Sequence, residues 1–501
     1  MNEEQTSKKS GRNKGKNSPS PAATRPAAES THTERKAAGK SGSLRLHKAA
    51  HDPRAAALVA LARVLNEGAD SQAALDDVLT SPELVPTDKR LCTELVYGVL
   101  RWYLRLDWFA GRFLTRPDKL PGEMRLCLLC ALYEMAFLRV PHHAPVNWAV
   151  SHVRNRFGQG IAGVANGVLR SMQRGLKDFS DPKALAEHCA GPEEALAREY
   201  AMPAWIVRLW REHYGPEPAL DLLKAIQAAP PSGLRLNRSR SGWEAARKEL
   251  LNEAGEDGAT AVGAAALAFS GALSWRAREL VQQGMASRQS AASYEALEYF
   301  APPCWPKPIW DCCAGRGGKT LALLEQGIPV ALASDSSERR LEGFAREWER
   351  LGLGAARPPV LVLAADKTAA SLSGGLAGDA GAETASLLEN VPESFGSVLL
   401  DAPCSGLGTL SRRPEIRLRR TPEDVAALTR LQRRILDAVW QRLQPGGFLV
   451  YLTCTLNPAE NEGQISEFFA SHVDALLRRE FQTPFHSPLR EFFYGALLEK
   501  R

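Results

Sequence analysis

No stretch constrains this chain more than Gly446-Gly447-Phe448-Leu449-Val450-Tyr451-Leu452-Thr453-Cys454-Thr455. A glycine turn leads into an unbroken apolar, β-favouring run and then a polar tip carrying a thiol, the pattern of a strand buried within a parallel sheet. In open α/β sheets ligands sit beyond the carboxyl ends of the strands. Cys454 belongs at such a crevice. A second run, Phe395-Gly396-Ser397-Val398-Leu399-Leu400-Asp401-Ala402-Pro403-Cys404, is built the same way and also finishes in a carboxylate and a cysteine. Two strand-end thiols can face one cleft.

Around them, strands and helices alternate over residues 286–501, which predicts an α/β domain with a Rossmann-like parallel sheet and helices on both faces. Strands are expected at Pro308–Cys312, Val330–Ser334, Val360–Ala364, Ser397–Asp401 and Phe448–Thr453. Helices are expected at Lys319–Gln326, Ser337–Leu351 and Pro422–Leu443. The Gly, Ala and Ser-rich stretch Thr368 to Glu393 reads as a loop insertion.

Ile309-Trp310-Asp311-Cys312-Cys313-Ala314-Gly315-Arg316-Gly317-Gly318-Lys319-Thr320 reads as strand, glycine loop, helix, a place where backbone N–H groups approach a ligand. A P-loop would need glycine where Cys313 stands, which demotes phosphate binding. Asp335 follows Gly318 by 17 residues, the position of a ribose-hydroxyl acceptor, and Asp366 ends the third strand near where an adenine would lie. A glycine loop with two such acids suits an adenosine cofactor without a pyrophosphate, which suggests S-adenosylmethionine. The thiols extend this. C5 of a pyrimidine is a poor nucleophile, and thiolate addition at C6 makes it enamine-like and able to attack a methyl donor. Either cysteine alone reads as a small buried hydrophobe; their shared place at strand ends points to chemistry. Which of the two attacks is open at this level.

Upstream, 501 residues exceed one ordinary core. Residues 1–50 hold 11 Lys and Arg against 4 Glu, so the net +6 of the chain resides in a basic tail expected to be disordered and able to hold a polyanion or simply to solubilise. Residues 52–180 show helical apolar spacing, and residues 190–285 read as a small α+β module with a strand at Gly233–Asn237. Its Ala and Gly-rich stretch Ala259–Ala272 looks too small-sided to pack densely. Nine cysteines without a paired framework suit a reducing cytoplasm. Cys127 and Cys130 form a CxxC with no second pair, so a buried helix face is expected; His142-His143 reads as a helix-entry turn, and no metal is expected. The longest apolar run, Leu126 to Leu138, contains Glu134 and is too short to span a bilayer, and no apolar h-region marks a secretory signal.

Asp401-Ala402-Pro403-Cys404-Ser405-Gly406, Arg412-Arg413-Pro414-Glu415-Ile416, Gln444-Pro445-Gly446-Gly447 and Tyr451-Leu452-Thr453-Cys454-Thr455 with Glu460-Asn461-Glu462 resemble the Sun (Fmu) family of RNA cytosine-5 methyltransferases. Glu94-Leu95-Val96-Tyr97-Gly98-Val99-Leu100-Arg101, Val146-Asn147 and Ala165-Asn166-Gly167-Val168-Leu169-Arg170 are similar to the NusB-like RNA-binding domain of the bacterial members that act on small-subunit ribosomal RNA. The resemblance runs from about residue 52 to the C-terminus. It implies that Cys454 is the nucleophile and Cys404 assists product release. It also implies that Cys313, Ala314, Gly315, Arg316, Gly317, Gly318 and Lys319 hold the methionine end of S-adenosylmethionine, with Asp335 on the ribose, Asp366 near the adenine and Asp401 lining the cofactor and cytosine pocket.

Three departures stand out. Gly315-Arg316 replaces the family's Ala-Pro, which softens the loop and adds a cation near the donor. Thr455 stands where serine is common. Arg288-Gln289-Ser290 lacks an aspartate often found after the glutamine. RNA contact is expected on Arg412, Arg413, Arg417, Arg419 and Arg420, five arginines in nine residues, with a solvated helix-entry loop as the plainer reading. The expectation is a monomeric cytoplasmic enzyme methylating small-subunit ribosomal RNA. A non-catalytic ribosome-assembly factor and the same chemistry on transfer RNA are the alternatives.

Overall fold

The computed structural model describes residues 51–255, 258–354, 360–372 and 391–501. The basic tail 1–50 and most of the expected loop insertion, residues 373–390, lie outside them.

Six helices open the chain: α1 (Pro53–Asn66), α2 (Ser71–Leu79), α3 (Pro86–Gly111), α4 (Gly122–Phe137), α5 (His143–Phe157) and α6 (Gln159–Arg174). Asp52 starts α1 by accepting hydrogen bonds from the Arg54 and Ala55 amides, with Pro53 at the first helical position. α4 packs against α1, α3, α5 and α6 and is buried almost all round, which is why its apolar run carries so little polar interruption. The acid within that run, Glu134, is fully buried and meets Arg54 at 2.7 Å. Cys127 and Cys130 are core residues of this helix, as their lack of partners suggested, and His143 opens α5.

Four short helices, α7 (Pro182–Ala186), α8 (Pro192–Glu199), α9 (Ala204–Tyr214) and α10 (Pro216–Ala225), lead to a four-stranded antiparallel sheet. Its strands are β1 (Ser232–Leu236), β2 (Ala259–Val262), β3 (Ala266–Phe269) and β4 (Ala286–Arg288), in the order β2-β3-β1-β4. Helices α11 (Trp243–Ala254), α12 (Trp275–Gln282) and α13 (Ala291–Tyr299) accompany it. Within the Ala-rich stretch the part around β3 does pack densely, contrary to expectation, while Ala261, Ala264 and residues 270–272 stay exposed. β3 is an interior strand of the sheet; Ala265, Ala266 and Leu267 are fully buried, and the two alanines leave room for α13 to pack against the strand.

The last domain is a seven-stranded sheet in the order β10-β11-β9-β8-β5-β6-β7. Its strands are β5 (Ile309–Asp311), β6 (Leu332–Asp335), β7 (Val360–Val362), β8 (Phe395–Asp401), β9 (Leu443–Thr453), β10 (Ala475–Gln482) and β11 (Tyr494–Lys500). The helices are α14 (Gly318–Glu325), α15 (Glu338–Leu351), α16 (Ala365–Ser371), α17 (Ile416–Arg419), α18 (Pro422–Trp440) and α19 (Glu462–Ser471). β5 to β9 are parallel. Alternate residues of β8 and β9 enter opposite cores: Leu399, Val450 and Leu452 join α13, whereas Val398, Leu400, Leu449 and Tyr451 meet α18. That two-sided burial explains the unbroken apolar runs. The antiparallel pair β10 and β11 was not expected from sequence. β10 is an edge strand whose Arg478, Arg479 and Glu480 face solvent, so its pattern is polar rather than apolar. Strand order reverses between β5 and β8, and the crevice beyond their carboxyl ends is the place for a ligand.

Candidate active site

β8 and β9 run parallel in register, with Asp401 opposite Leu452, so the loops that follow them emerge side by side. Cys404 and Cys454 leave those two ends with their Sγ atoms 3.4 Å apart, and the Cys454 amide also points at the Cys404 sulfur, at 3.4 Å. Gly408 fixes the second loop by donating to the Cys454 carbonyl at 3.0 Å, an approach so close that any Cβ there would strike the Phe492 carbonyl. The two thiols are unequal. The Cys404 thiol is raised well above its ordinary value by its hydrogen bond to Cys454, by burial and by the charges of Cys454 and Glu460. Cys454 is lowered, first by the hydrogen bond from Cys404 and then by the cations of Lys319 and Arg413, against burial and Asp401. The shared proton is therefore favoured on Cys404, and Cys454 is the more readily ionised thiol of the pair.

The glycine loop closes the other side of the crevice. Gly315 and Gly317 adopt φ of 58° and 78°, and a Cβ on Gly317 would stand 1.8 Å from the Phe344 ring. Asp335 ends β6 nearly buried; it accepts from the Gly315 amide at 3.0 Å and from the Ser337 amide at 2.8 Å. Cys313 and Ala314 line the same turn, Gly318 opens α14, and Arg316 is exposed. Lys319 turns inward and pairs with Asp401, with Nζ 5.9 Å from the centre of the Phe493 ring. Asp366 sits in the first turn of α16, beyond the end of β7, with Arg434 at 4.0 Å.

Asp311, at the end of β5, was not singled out from sequence. It is buried, accepts from Thr320 Oγ1 at 2.5 Å, and its second oxygen has no partner among the described residues. Burial pushes its carboxyl up to about 7, the charge of Asp401 adds to this and the Thr320 hydroxyl opposes it. Between the ordinary 3.8 and about 7 the folded chain keeps a proton that the unfolded chain has lost. Stability from this group is full below 3.8 and is lost as pH rises through about 7. Asp311→Asn should therefore raise the melting temperature above neutrality and flatten its fall with pH, by about 4 kcal/mol at most. Thermal unfolding across pH measures this, and an unchanged slope overturns it.

Comparison with known proteins fits this geometry. Residues 303–491 match the family model described as 16S rRNA methyltransferase RsmB/F, and residues 51–174 match the NusB family. Ribosomal RNA small subunit methyltransferase B of Vibrio cholerae is 34% identical over 436 residues, covering 85% of this chain and 90% of that protein. The chain belongs to the RsmB/F family. A probable ribosomal RNA small subunit methyltransferase B of Bacillus subtilis is 31% identical over 430 residues, covering 82% of this chain and 88% of the relative. The crystal structure of PH0851 shares the fold, with a TM-score of 0.68 over 89% of this chain and 99% of that one at 23% identity.

In this RsmB/F chain the arginine run after Cys404 has a different use from the one expected. Arg417 is buried and donates to the carbonyls of Arg101, Ala201 and Leu410, and burial lowers it to about 9. Arg419 donates to the carbonyls of Val64 and Ala69 at 2.6 and 2.5 Å. Both guanidiniums fasten the helical domain to the loop after Cys404, and the expectation of RNA contact is corrected for Arg417, which is buried and turned to carbonyls; Arg419 is half-buried and spends its Nη2 on two of them. Arg412 chelates Glu491 at 2.9 and 2.6 Å, Arg413 meets Asp70 at 2.9 Å, and Arg420 donates to the Ser405 carbonyl at 3.1 Å. Ser290, where the family often has aspartate, caps α13 and donates to Glu491 at 2.8 Å.

The small module, silent in sequence, also reaches the site. Arg235 of β1 is buried, chelates Glu325 of α14 at 2.7 Å through two nitrogens and donates to the Gly318 carbonyl at 2.7 Å. Only its alternation with Leu234 and Leu236 hinted at this, and that pattern would have put it outward.

Proposed function

We propose that the chain transfers a methyl group from S-adenosylmethionine to C5 of a cytosine in small-subunit ribosomal RNA through a covalent adduct of Cys454 at C6. The single observation that carries this reading is the 3.4 Å approach of two strand-end sulfurs beside the Lys319–Asp401 pair. The loop Cys313–Lys319 fits the donor: positive φ at Gly315 and Gly317 opens a backbone cradle, and the buried Asp335 carboxylate at the end of β6 suits a ribose hydroxyl. Bound there, S-adenosylmethionine supplies an electrophilic methyl group.

The residues of the chain do the rest. The Cys454 thiolate adds to C6, and the π pair of the C5=C6 bond shifts onto C5, delocalised through C4 to N3, leaving C5 nucleophilic. Asp401, held by Lys319, faces the same pocket and accepts a hydrogen bond from the cytosine edge. Once C5 carries the methyl group, its proton passes to solvent water with assistance from Cys404, the C5–H electron pair re-forms the C5=C6 bond, and the C6–S bond breaks with its pair returning to the Cys454 thiolate. Of the arginines, Arg412, Arg413 and Arg420 keep part of their surface free beside the pocket and are the ones proposed to meet RNA phosphates.

The test is bisulfite sequencing of ribosomal and transfer RNA from a strain lacking the gene, with methyl transfer by the purified chain to the RNA that changes. Loss of one 5-methylcytosine in small-subunit RNA is expected. Unchanged ribosomal RNA with a lost transfer-RNA site would move the substrate, and no loss in either would end the reading.

A further inference from the structure

Beneath the thiol pair lies a carboxylate that the mechanism above does not use. Glu460 is fully buried, in a domain where such an acid needs a reason. One oxygen accepts from the Ser405 amide at 2.8 Å and from Gln432 Nε2 at 3.0 Å. The other accepts from the Ser405 hydroxyl at 2.5 Å and from Asn457 Nδ2 at 3.0 Å, with the Thr455 hydroxyl at 3.5 Å. Ser405 and Thr455 are the residues immediately after Cys404 and Cys454, and their hydroxyls meet at 2.6 Å. Gln432 also donates to the Pro403 carbonyl at 2.9 Å, and Tyr451 to the carbonyl of Glu460 itself at 2.7 Å. All the direct donors to Glu460 are neutral; no cation compensates it in these contacts. Its charge is stabilised by dipoles and remains felt by its neighbours.

The two thiols therefore stand between fields of opposite sign. On one side are the cations Lys319, from α14, and Arg413, with Asp401 of β8 partly offsetting them. On the other is Glu460, whose charge acts on Cys404 and on the Tyr451 phenol. We propose that Glu460 is a positioning residue that makes the thiols unequal: tied to the Cys404 loop through the amide and hydroxyl of Ser405, it biases the proton that the two sulfurs share toward Cys404. This deepens the reading under Proposed function and rests on it. Glu460 touches neither reacting atom; it acts through the sulfur that assists release.

The experiment is limited alkylation of the reduced full chain with iodoacetamide, following initial rates at each cysteine by mass spectrometry across pH. Wild-type protein should react first at Cys454. In Glu460→Gln the ratio of Cys454 to Cys404 modification near neutral pH should fall at least about tenfold, as one unit of differential ionisation is one factor of ten. The charge-preserving Glu460→Asp should keep the preference, as should Gln432→Met, which removes a donor and leaves the charge. An unchanged ratio in a folded Glu460→Gln overturns the proposal; if that variant does not fold, loss of preference in Glu460→Asp or Gln432→Met overturns it equally. The readout is thiol ionisation rather than methyl transfer. A wild-type chain that alkylates as expected yet methylates no cytosine would sink the function and leave this assignment of charge standing.

Discussion

Cys454→Ala should abolish methyl transfer, with a loss on the order of 10⁴-fold or more, because without addition at C6 the ring carbon never becomes nucleophilic. Cys404→Ala should fail differently. Addition still occurs, release stalls, and a covalent protein–RNA species accumulates that survives denaturing electrophoresis. The proposed roles run in this direction because the hydrogen bond from Cys404 and the cations of Lys319 and Arg413 favour ionisation of Cys454, whereas that same bond, with burial and Glu460, favours the proton on Cys404. The double variant should form no adduct, which separates a trapped intermediate from adventitious crosslinking through another cysteine. An adduct in Cys454→Ala and none in Cys404→Ala would exchange the two roles. Adduct in neither, with methylation intact, would remove covalent catalysis altogether.

Much of this site could be read from local sequence because local sequence creates it. Buried parallel strands need continuous apolar runs, and the residues that interrupt them at the carboxyl ends are there for a ligand. Hence Asp401, Cys404 and Cys454 were legible, and so was the glycine turn, where Gly317 has no room for a side chain. What escaped depends on partners hundreds of residues away. Arg419 looks like an RNA-facing arginine until Val64 and Ala69 are found beneath it, and Arg417 until the carbonyls of Arg101 and Ala201 are. A run of cations announces charge and says nothing of what it meets. Glu460 was quoted as part of a motif, yet its role lies in a network drawn from α18, β9 and both thiol loops at once.

The same blindness hid the joint between the small module and the glycine loop, where the second large effect is expected. Arg235 and Glu325 are both about 1% exposed at their side chains, and they form a two-point ion pair between strand β1 of the small sheet and helix α14 beside the large one. Such a pair adds little net stability over an apolar substitute, since desolvating two ions offsets their attraction, but removing one partner strands the other charge in the interior. Arg235→Met should therefore destabilise the chain by about 3–5 kcal/mol, measured by denaturant unfolding. Glu325 would be the group responsible, so Arg235→Met with Glu325→Leu should recover most of the loss. Recovery of stability should not restore donor affinity, because Arg235 also holds the Gly318 carbonyl and orients Gln289 against the turn. If the single variant unfolds like wild type, or the double variant binds S-adenosylmethionine as tightly as wild type, the module at residues 190–285 does not brace the cofactor loop, and the connection between the two sheets is only a matter of packing.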